Sequence, residues 1–171
     1  MSRKHCPQQQ GSLDALCGVY ATINSINLLT EQIDSERLFA YIVRKLDDHL
    51  EAALIDGLNN RELRRWVLSR CVTFCAKQQV HVAFTRCAKN LSLAEHWVIM
   101  REHHRLHGAG SIVLGLDGSF KHWTCVKNIT EKAILFADAQ ISRVYRRHIA
   151  TSPHAIQLHS KDTFLITVST I

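Results

Sequence analysis

The sequence predicts an α+β fold in which helices from the first part of the chain pack against an antiparallel sheet formed by the later part. Apolar residues repeat at helical spacing from residue 17 to about residue 46, and helix-start signals follow at 59–62 and 92–95. From residue 111 onward, apolar residues occur instead in short runs separated by turn residues. This change of pattern along the chain is typical of the α+β class.

Two helices are predicted in the first 50 residues. The first begins at Cys17 and forms the centre of the fold, with its buried side on residues three or four apart: Val19, Ile23, Ile26 and Leu29. The second begins at Asp34 or Ser35, since either side chain can accept hydrogen bonds from a first turn. Its apolar stripe consists of Leu38, Phe39, Ile42, Val43 and Leu46.

Capping signals predict two further helices. After a break at Asp56-Gly57, Asn59 and Glu62 have capping-box spacing, and the helix that follows turns Leu63 and Trp66 inward. Ser92 and Glu95 predict another helix that runs to about residue 105. Between these helices, residues 80–84 are predicted to form a short strand.

Strands dominate the last third of the chain. Residues 111–116 form a buried strand, 117–119 a turn, and 121–129 the return strand of a hairpin. A third strand spans 133–139, and the β-branched and aromatic run at 163–168 joins the same sheet. The central helix is expected to pack on this sheet.

Composition fits a single domain over residues 1–171. The chain has 46% apolar residues but no long apolar run, and no hydrophobic stretch follows the basic first residues. We therefore expect neither a membrane span nor a secretory signal. Six cysteines at irregular spacing favour free thiols in a reducing compartment. A cytoplasmic protein fits, as does one delivered to another cell without a cleaved signal.

Cys17 is the candidate nucleophile. A thiol at a helix start faces backbone N–H groups and the positive end of the helix dipole, which favour the thiolate. The Gln10 amide, seven residues earlier, can fold back beside the Cys17 N–H group to form an oxyanion hole. The competing interpretation is a small buried cysteine in the first turn of a core helix.

His122 and Asp138 are the candidate partners of this thiol. His122 begins one predicted strand and Asp138 lies near the end of the next, and these points are neighbours in an antiparallel pair. The aspartate would orient the imidazole, which would keep the thiol ionised and later protonate the leaving group. Each residue alone also fits an ordinary strand end, but the ordered combination is specific.

These motifs resemble those of papain-fold cysteine peptidases, and within that group the chain is most similar to the compact bacterial peptidase domains of the bacteriocin-processing type. The matching positions are Gln10, Cys17-Gly18, His122 and Asp138. The resemblance covers residues from about 8 to about 140 and implies a papain-like fold with a Cys-His-Asp triad. The glutamine lies one residue further from the cysteine than in that family, with Gly11 in the expected place, so the oxyanion donor is Gln10 or Gln9.

The expected activity is cleavage of a peptide or isopeptide bond in a protein or peptide substrate, in a bacterial effector or toxin for example. A glutamine deamidase or an acyl or amide transferase is the near alternative, because these reactions share the thioester step. A non-catalytic papain-fold binding module is the second alternative, although such modules typically lose the cysteine or histidine. Thiol–imidazole chemistry implies no cofactor.

Two other residue clusters favour structural roles. Cys71, Cys75, His81 and Cys87 include metal-ligand types, but their spacing is loose and the first two lie one helical turn apart in an apolar run. The second cluster is interpreted as a solvated helix end before the Gly108-Ala109-Gly110 loop. It consists of His96, His103, His104 and His107.

The chain is basic, with 21 lysines and arginines against 15 acidic residues and a sequence pI near 9.2. The basic residues are dispersed and lack interleaved aromatic residues or a reading helix, which disfavours nucleic acid as the partner. Two small groups stand out, one on a predicted helix at Arg61, Arg64, Arg65 and Arg70 and one on a later strand at Arg143, Arg146 and Arg147. An acidic protein or peptide partner fits this distribution better.

Overall fold

A computed structural model of the chain describes residues 15–117, 121–137, 144–147 and 156–170. The α-helices in these ranges are α1 (Cys17–Leu29), α2 (Ser35–Arg44), α3 (Leu50–Asp56), α4 (Asn60–Glu62), α5 (Ser69–Lys77) and α6 (Leu93–His107). A 3₁₀ turn at Asp47–His49 precedes α3, and a π-helical segment at Leu63–Leu68 joins α4 to α5. The strands are β1 (Val80–Arg86), β2 (Ile112–Asp117), β3 (His122–Ile129), β4 (Ala133–Phe136), β5 (Val144–Arg146) and β6 (Gln157–Thr170).

Within the described residues the strands form one six-stranded sheet in the order β1-β6-β2-β3-β4-β5. Every neighbouring pair is antiparallel. The predicted α+β class, with helices packed on an antiparallel sheet, is confirmed. The long β6 lies between β1 and β2, so two strands that are consecutive in sequence are joined in the sheet by a strand from a later part of the chain.

The sheet has one hydrophobic core on each face. The larger core joins α1, α2 and α5 to the sheet through residues such as Ile23, Leu38 and Phe164. The smaller core joins α6 to the opposite face through Trp97 and Met100. Because side chains alternate along a strand, neighbouring residues of β2 and β3 contribute to different cores.

The helix starts agree with the capping signals. Asp34 accepts a hydrogen bond from the Arg37 N–H group at the start of α2. Both predicted capping boxes are present, one before α4 and one before α6. Val19, Ile23 and Ile26 of α1 are buried as expected, whereas Leu29 is half-buried.

Several element bounds differ from the sequence prediction. A separate helix, α3, precedes the break at Gly57, which has a positive φ of 76° that favours glycine. Trp66 is half-buried and stacks on His49 with ring centroids 4.1 Å apart. The predicted strand 133–139 ends earlier, at Phe136. Both β1 and β6 extend beyond their predicted bounds, because β1 pairs with residues 164–170 of β6 and the start of β6 pairs with the end of β2.

No α-helix in the described ranges combines the length and the apolar character that a membrane crossing requires.

Candidate active site

Cys17 is the first residue of α1, as predicted, and its side chain is half-buried. The residue before it, Leu16, occupies the N-cap position and has no side-chain oxygen to offer the first turn. The chain entering the helix is held by a 2.9 Å hydrogen bond from the Ala15 N–H group to the Leu54 carbonyl of α3. The start of α1 is therefore fixed by backbone contacts.

His122 is the first residue of β3 and lies opposite Leu116 of β2 in the predicted hairpin. The backbone N–H of the next residue, Trp123, donates a hydrogen bond to Cys17 Sγ over 3.4 Å. The Trp123 nitrogen is two covalent bonds from the His122 Cα atom. Cys17 Sγ therefore lies within roughly 6 Å of the His122 Cα atom. The His122 side chain is buried, with 7% of its surface exposed.

Two glycines allow α1 and β3 to approach this closely. A Cβ atom at Gly18 would lie 2.7 Å from Leu63 Cδ1 and 3.3 Å from Trp123 Cδ1. A Cβ atom at Gly115 would lie 3.0 Å from the other side of the same indole and 2.8 Å from Asp162 Cβ. The Trp123 ring thus fits between two glycines and donates its Nε1–H to the Leu58 carbonyl at 2.7 Å.

Cys17 and His122 line one open cleft of about 820 Å³, which we call the thiol cleft. This volume is in the range of sites that bind ligands of several residues or drug-like size. Its charged lining residues have both signs: Asp56, Arg61, Arg86, Asp117, Lys121, Lys161 and Asp162. Cys17 and His122 therefore both lie at the same solvent-open cleft.

One wall of the thiol cleft was not predicted from the sequence. Asn60 donates through Nδ2 to the Lys161 carbonyl at 2.7 Å and to Asp162 Oδ1 at 3.0 Å. The Arg86 guanidinium also donates to the Lys161 carbonyl, at 2.7 Å. The Asn60 contacts tie α4 to β6 across about a hundred residues of sequence, and the Arg86 contact ties β1 to β6 across 75, so local patterns carry no signal for them.

Gln9, Gln10 and Asp138 lie outside the described residues, so their predicted roles remain predictions. The neighbouring backbone is described as far as Ala137, whose N–H donates to the Cys125 carbonyl of β3 at 2.9 Å. Asn24 of α1 donates to the Ala137 carbonyl at 3.4 Å. The chain therefore reaches residue 137 beside both the histidine strand and the cysteine helix.

Asn128 is a second polar side chain near His122 in sequence whose amide oxygen could in principle orient an imidazole. It lies six residues beyond His122 on β3, opposite Leu135, and its side chain is exposed. Six residues along a strand correspond to roughly 20 Å. Both residues lie on one strand, as predicted. Its length keeps Asn128 away from the imidazole.

Three other cysteines are buried in positions typical of structural thiols. Cys71 and Cys75 face each other one helical turn apart, with sulfurs 3.9 Å apart. The hydrogen bond with Cys75, together with burial, raises the pKa of Cys71, and burial raises the pKa of Cys87 to about 11. No group of three or more His, Cys, Asp or Glu side chains suited to a metal ion occurs among the residues described.

The interpretation of the four histidines as a solvated helix end is wrong for His96. This side chain is 1% exposed, and its Nε2 hydrogen bonds with Thr163 Oγ1 of β6 at 2.9 Å. His103 is half-buried and its Nε2 lies 3.0 Å from the Ile166 carbonyl oxygen. The reason is the helical repeat: His96 shares the face of α6 that carries Met100, and this face packs on the sheet.

Comparisons of the chain with protein-family models, curated proteins and solved structures give no significant match. A function for this chain is therefore inferred from the geometry of its candidate site.

Proposed function

We propose that the protein is a papain-like cysteine peptidase that cleaves a peptide or isopeptide bond at the thiol cleft. In this proposal Cys17 is the nucleophile, His122 the general base and then acid, Asp138 the residue that orients the imidazole, and Gln10 an oxyanion donor. The observation that carries it is the hydrogen bond from the Trp123 N–H group to Cys17 Sγ. That contact holds the start of the histidine strand against the start of the cysteine helix.

The proposed reaction begins when the His122 imidazole accepts the proton of the Cys17 thiol. The thiolate then attacks the substrate carbonyl carbon, and the resulting oxyanion receives hydrogen bonds from the Cys17 N–H group and the glutamine amide. The imidazolium protonates the departing amine as the C–N bond breaks, which leaves a thioester. Water, deprotonated by the same imidazole, hydrolyses the thioester and restores the thiol.

The surroundings of the sulfur support this chemistry in two ways. The Trp123 N–H group points its hydrogen at Sγ, and a donor in that position stabilises negative charge on the sulfur. The half-buried Cys17 opens into the thiol cleft, whereas the other four described cysteines are buried. A substrate acyl group can therefore reach this thiol and not the others.

The proposal is tested by incubating the protein and its Cys17→Ala variant with a proteome-derived peptide mixture in ¹⁸O-labelled water. We expect new amino termini and ¹⁸O in the new carboxyl groups with the unsubstituted protein only, because the variant lacks the attacking sulfur. Cys17→Ala should keep its folded circular dichroism spectrum, since the substitution removes one half-exposed atom.

The same mass spectra distinguish the related reactions. Glutamine side chains converted to glutamate without chain cleavage would replace the peptidase by a deamidase. Identical products from the protein and from Cys17→Ala would overturn the assignment of Cys17 as nucleophile.

A further inference from the structure

A second cavity, of about 620 Å³, lies beside the thiol cleft between the α4–α5 helical run and the edge strand β1. We call it the arginine cavity. Its lining residues are Arg61, Arg64, Arg65, Leu68, Ser69, Val72 and Phe84. The cavity thus combines three guanidinium groups with an apolar lining.

The three arginines have no acidic partner among the residues that the structure describes. Their side chains are exposed, and in the described part of the protein no carboxylate lies within 4.0 Å of their guanidinium groups. Three like charges within little more than one helical turn repel one another unless an anion is bound between them. The arrangement is therefore suited to a ligand that carries more than one negative charge.

The backbone beneath two of these arginines has an unusual conformation. Arg64 and Arg65 belong to the π-helical segment, and such segments are rare and occur frequently at functional sites. The apolar side of the cavity comes from Leu68 and Val72 on one wall and Phe84 of β1 on the other. An aliphatic or aromatic side chain of a ligand can pack there while acidic groups reach the guanidinium groups.

The arginine cavity and the thiol cleft adjoin, because Arg61 lines both. The Arg61 side chain is therefore within reach of a ligand in either space. The shared residue makes the cavity a candidate subsite for the substrate that reacts at the thiol, and not an isolated patch.

We propose that the arginine cavity binds an acidic segment of the peptide substrate, with an apolar side chain of the same segment on Leu68, Val72 and Phe84. This inference rests on the proposed peptidase function for the identity of the ligand as a substrate. A peptide fits better than a nucleic acid because a peptide supplies the acyl carbon that a thiol attacks. In addition, Phe84 is the one aromatic residue in the cavity lining, and single-stranded nucleic acids stack on several.

The test uses the Cys17→Ala variant, so that binding is measured without turnover. The probes are a fluorescein-labelled 12-residue peptide with an acidic block around one phenylalanine, its amide counterpart with glutamine and asparagine, and a single-stranded oligonucleotide of equal charge. Arg64→Gln combined with Arg65→Gln removes two charges from the cavity. Arg37→Gln combined with Arg44→Gln on α2 is the matched control, since these exposed arginines line neither cavity.

We expect the acidic peptide to bind more tightly than its amide counterpart, and its affinity to fall by about tenfold or more in the Arg64/Arg65 variant. The control pair should change it by less than about twofold. Equal losses in both variants would mean general charge attraction and would overturn the proposal. Tighter binding of the oligonucleotide, with the same dependence on Arg64 and Arg65, would overturn it in favour of nucleic acid.

A second readout separates this proposal from the peptidase function. With Cys17 intact, the acidic peptide should slow alkylation of Cys17 by iodoacetamide, because a bound peptide extends into the thiol cleft. Arg64/Arg65-dependent binding without this protection would contradict the subsite. Binding together with protection, but with no cleavage of any peptide, would leave the subsite in place and defeat the proposed reaction instead.

Discussion

The first turns of α1 and α6 each bring a polar side chain against the sheet, from opposite faces, and the two sites differ in access to solvent. Cys17 contacts the Trp123 N–H group of β3 and opens into a cleft of about 820 Å³. His96 contacts Thr163 of β6 and is 1% exposed. A similar helix-on-strand contact is therefore open to a cleft at one site and sealed within the structure at the other.

The first turns of the two helices also differ in capping: α6 has a side-chain cap and α1 has none. At α6 the Ser92 side chain accepts from the Glu95 N–H group, and Glu95 accepts from the Ser92 N–H group. At α1 the N-cap is Leu16, whose side chain cannot accept a hydrogen bond. A capped first turn contributes stability, whereas one without a polar cap keeps its positive end available to a ligand.

Burial holds His96 in the neutral form, and its hydrogen bond with Thr163 indicates which ring nitrogen carries the proton. Thr163 Oγ1 donates to the His159 carbonyl at 3.3 Å, so the His96 Nε2–H group is the donor to Thr163. Nδ1 is buried with no hydrogen-bond partner in the structure. Burial, with a smaller contribution from His159, lowers the pKa of His96 to about 4.

The largest contrast is expected between His122→Gln and His96→Gln. The first should lower turnover by roughly two to four orders of magnitude, because it removes the proton acceptor and donor. The second should leave turnover within about threefold and lower the thermal midpoint, since glutamine does not fill the imidazole site. Turnover and thermal denaturation of both variants check this, and equal effects on turnover would remove the distinction between the two histidines.

A smaller effect on turnover is expected at Asp138. Asp138→Ala should leave a weakened but measurable enzyme, because Cys17 and His122 still pair while control of the imidazole orientation is lost. Asp138→Asn should be milder, since an amide oxygen still accepts the imidazole N–H. Asn128→Ala is the matched control on β3; if it cripples turnover while Asp138→Ala does not, the orienting residue has been assigned to the wrong strand.

The smallest effect is a pH dependence of stability at the sealed site. His96 is neutral when folded and has an ordinary pKa near 6.5 when unfolded, so its contribution is complete above pH 6.5. It is lost as the pH falls from about 6.5 towards 4, by at most about 3 kcal/mol. Urea denaturation between pH 7 and 4 should show this loss.

In His96→Gln the change of the unfolding free energy with pH, here called the slope, should be reduced but not abolished. The remainder is expected because burial also lowers the pKa of His103. His81→Gln, at an exposed position of β1 away from both histidines, is the control and should keep the full slope. A slope unchanged by His96→Gln would mean that His96 does not stay neutral in the fold.

Features set by neighbouring residues were predictable from the sequence. The capping boxes at Asn59 and Ser92 depend on residues three apart, and the hairpin of β2 and β3 depends on a short turn. The start of α1 at Cys17 followed from the apolar repeat behind it. These patterns placed Cys17 at a helix start and His122 at a strand start, whereas the expectation that the two elements lie side by side came with the resemblance to papain-fold peptidases.

Long-range contacts were not predictable in the same way. The pairing of β1 with β6 and the contact of Asn60 with Asp162 join residues about eighty to a hundred positions apart, which no local pattern specifies. The burial of His96 did have a signal, because Met100 lies four residues later on the same helix face. The number of histidines in α6 suggested a polar face instead, and tertiary packing decided the outcome.

Alkylation by iodoacetamide near pH 6 is the most direct test of whether His122 activates the Cys17 thiol. Peptide mapping by mass spectrometry gives the rate at each cysteine, including Cys6, which lies outside the described residues. We expect Cys17 to be modified first, ahead of the buried cysteines, and several-fold more slowly in His122→Gln. Faster modification of Cys6 or Cys87 with Cys17 left unmodified, or a Cys17 rate unchanged by His122→Gln, would contradict the account.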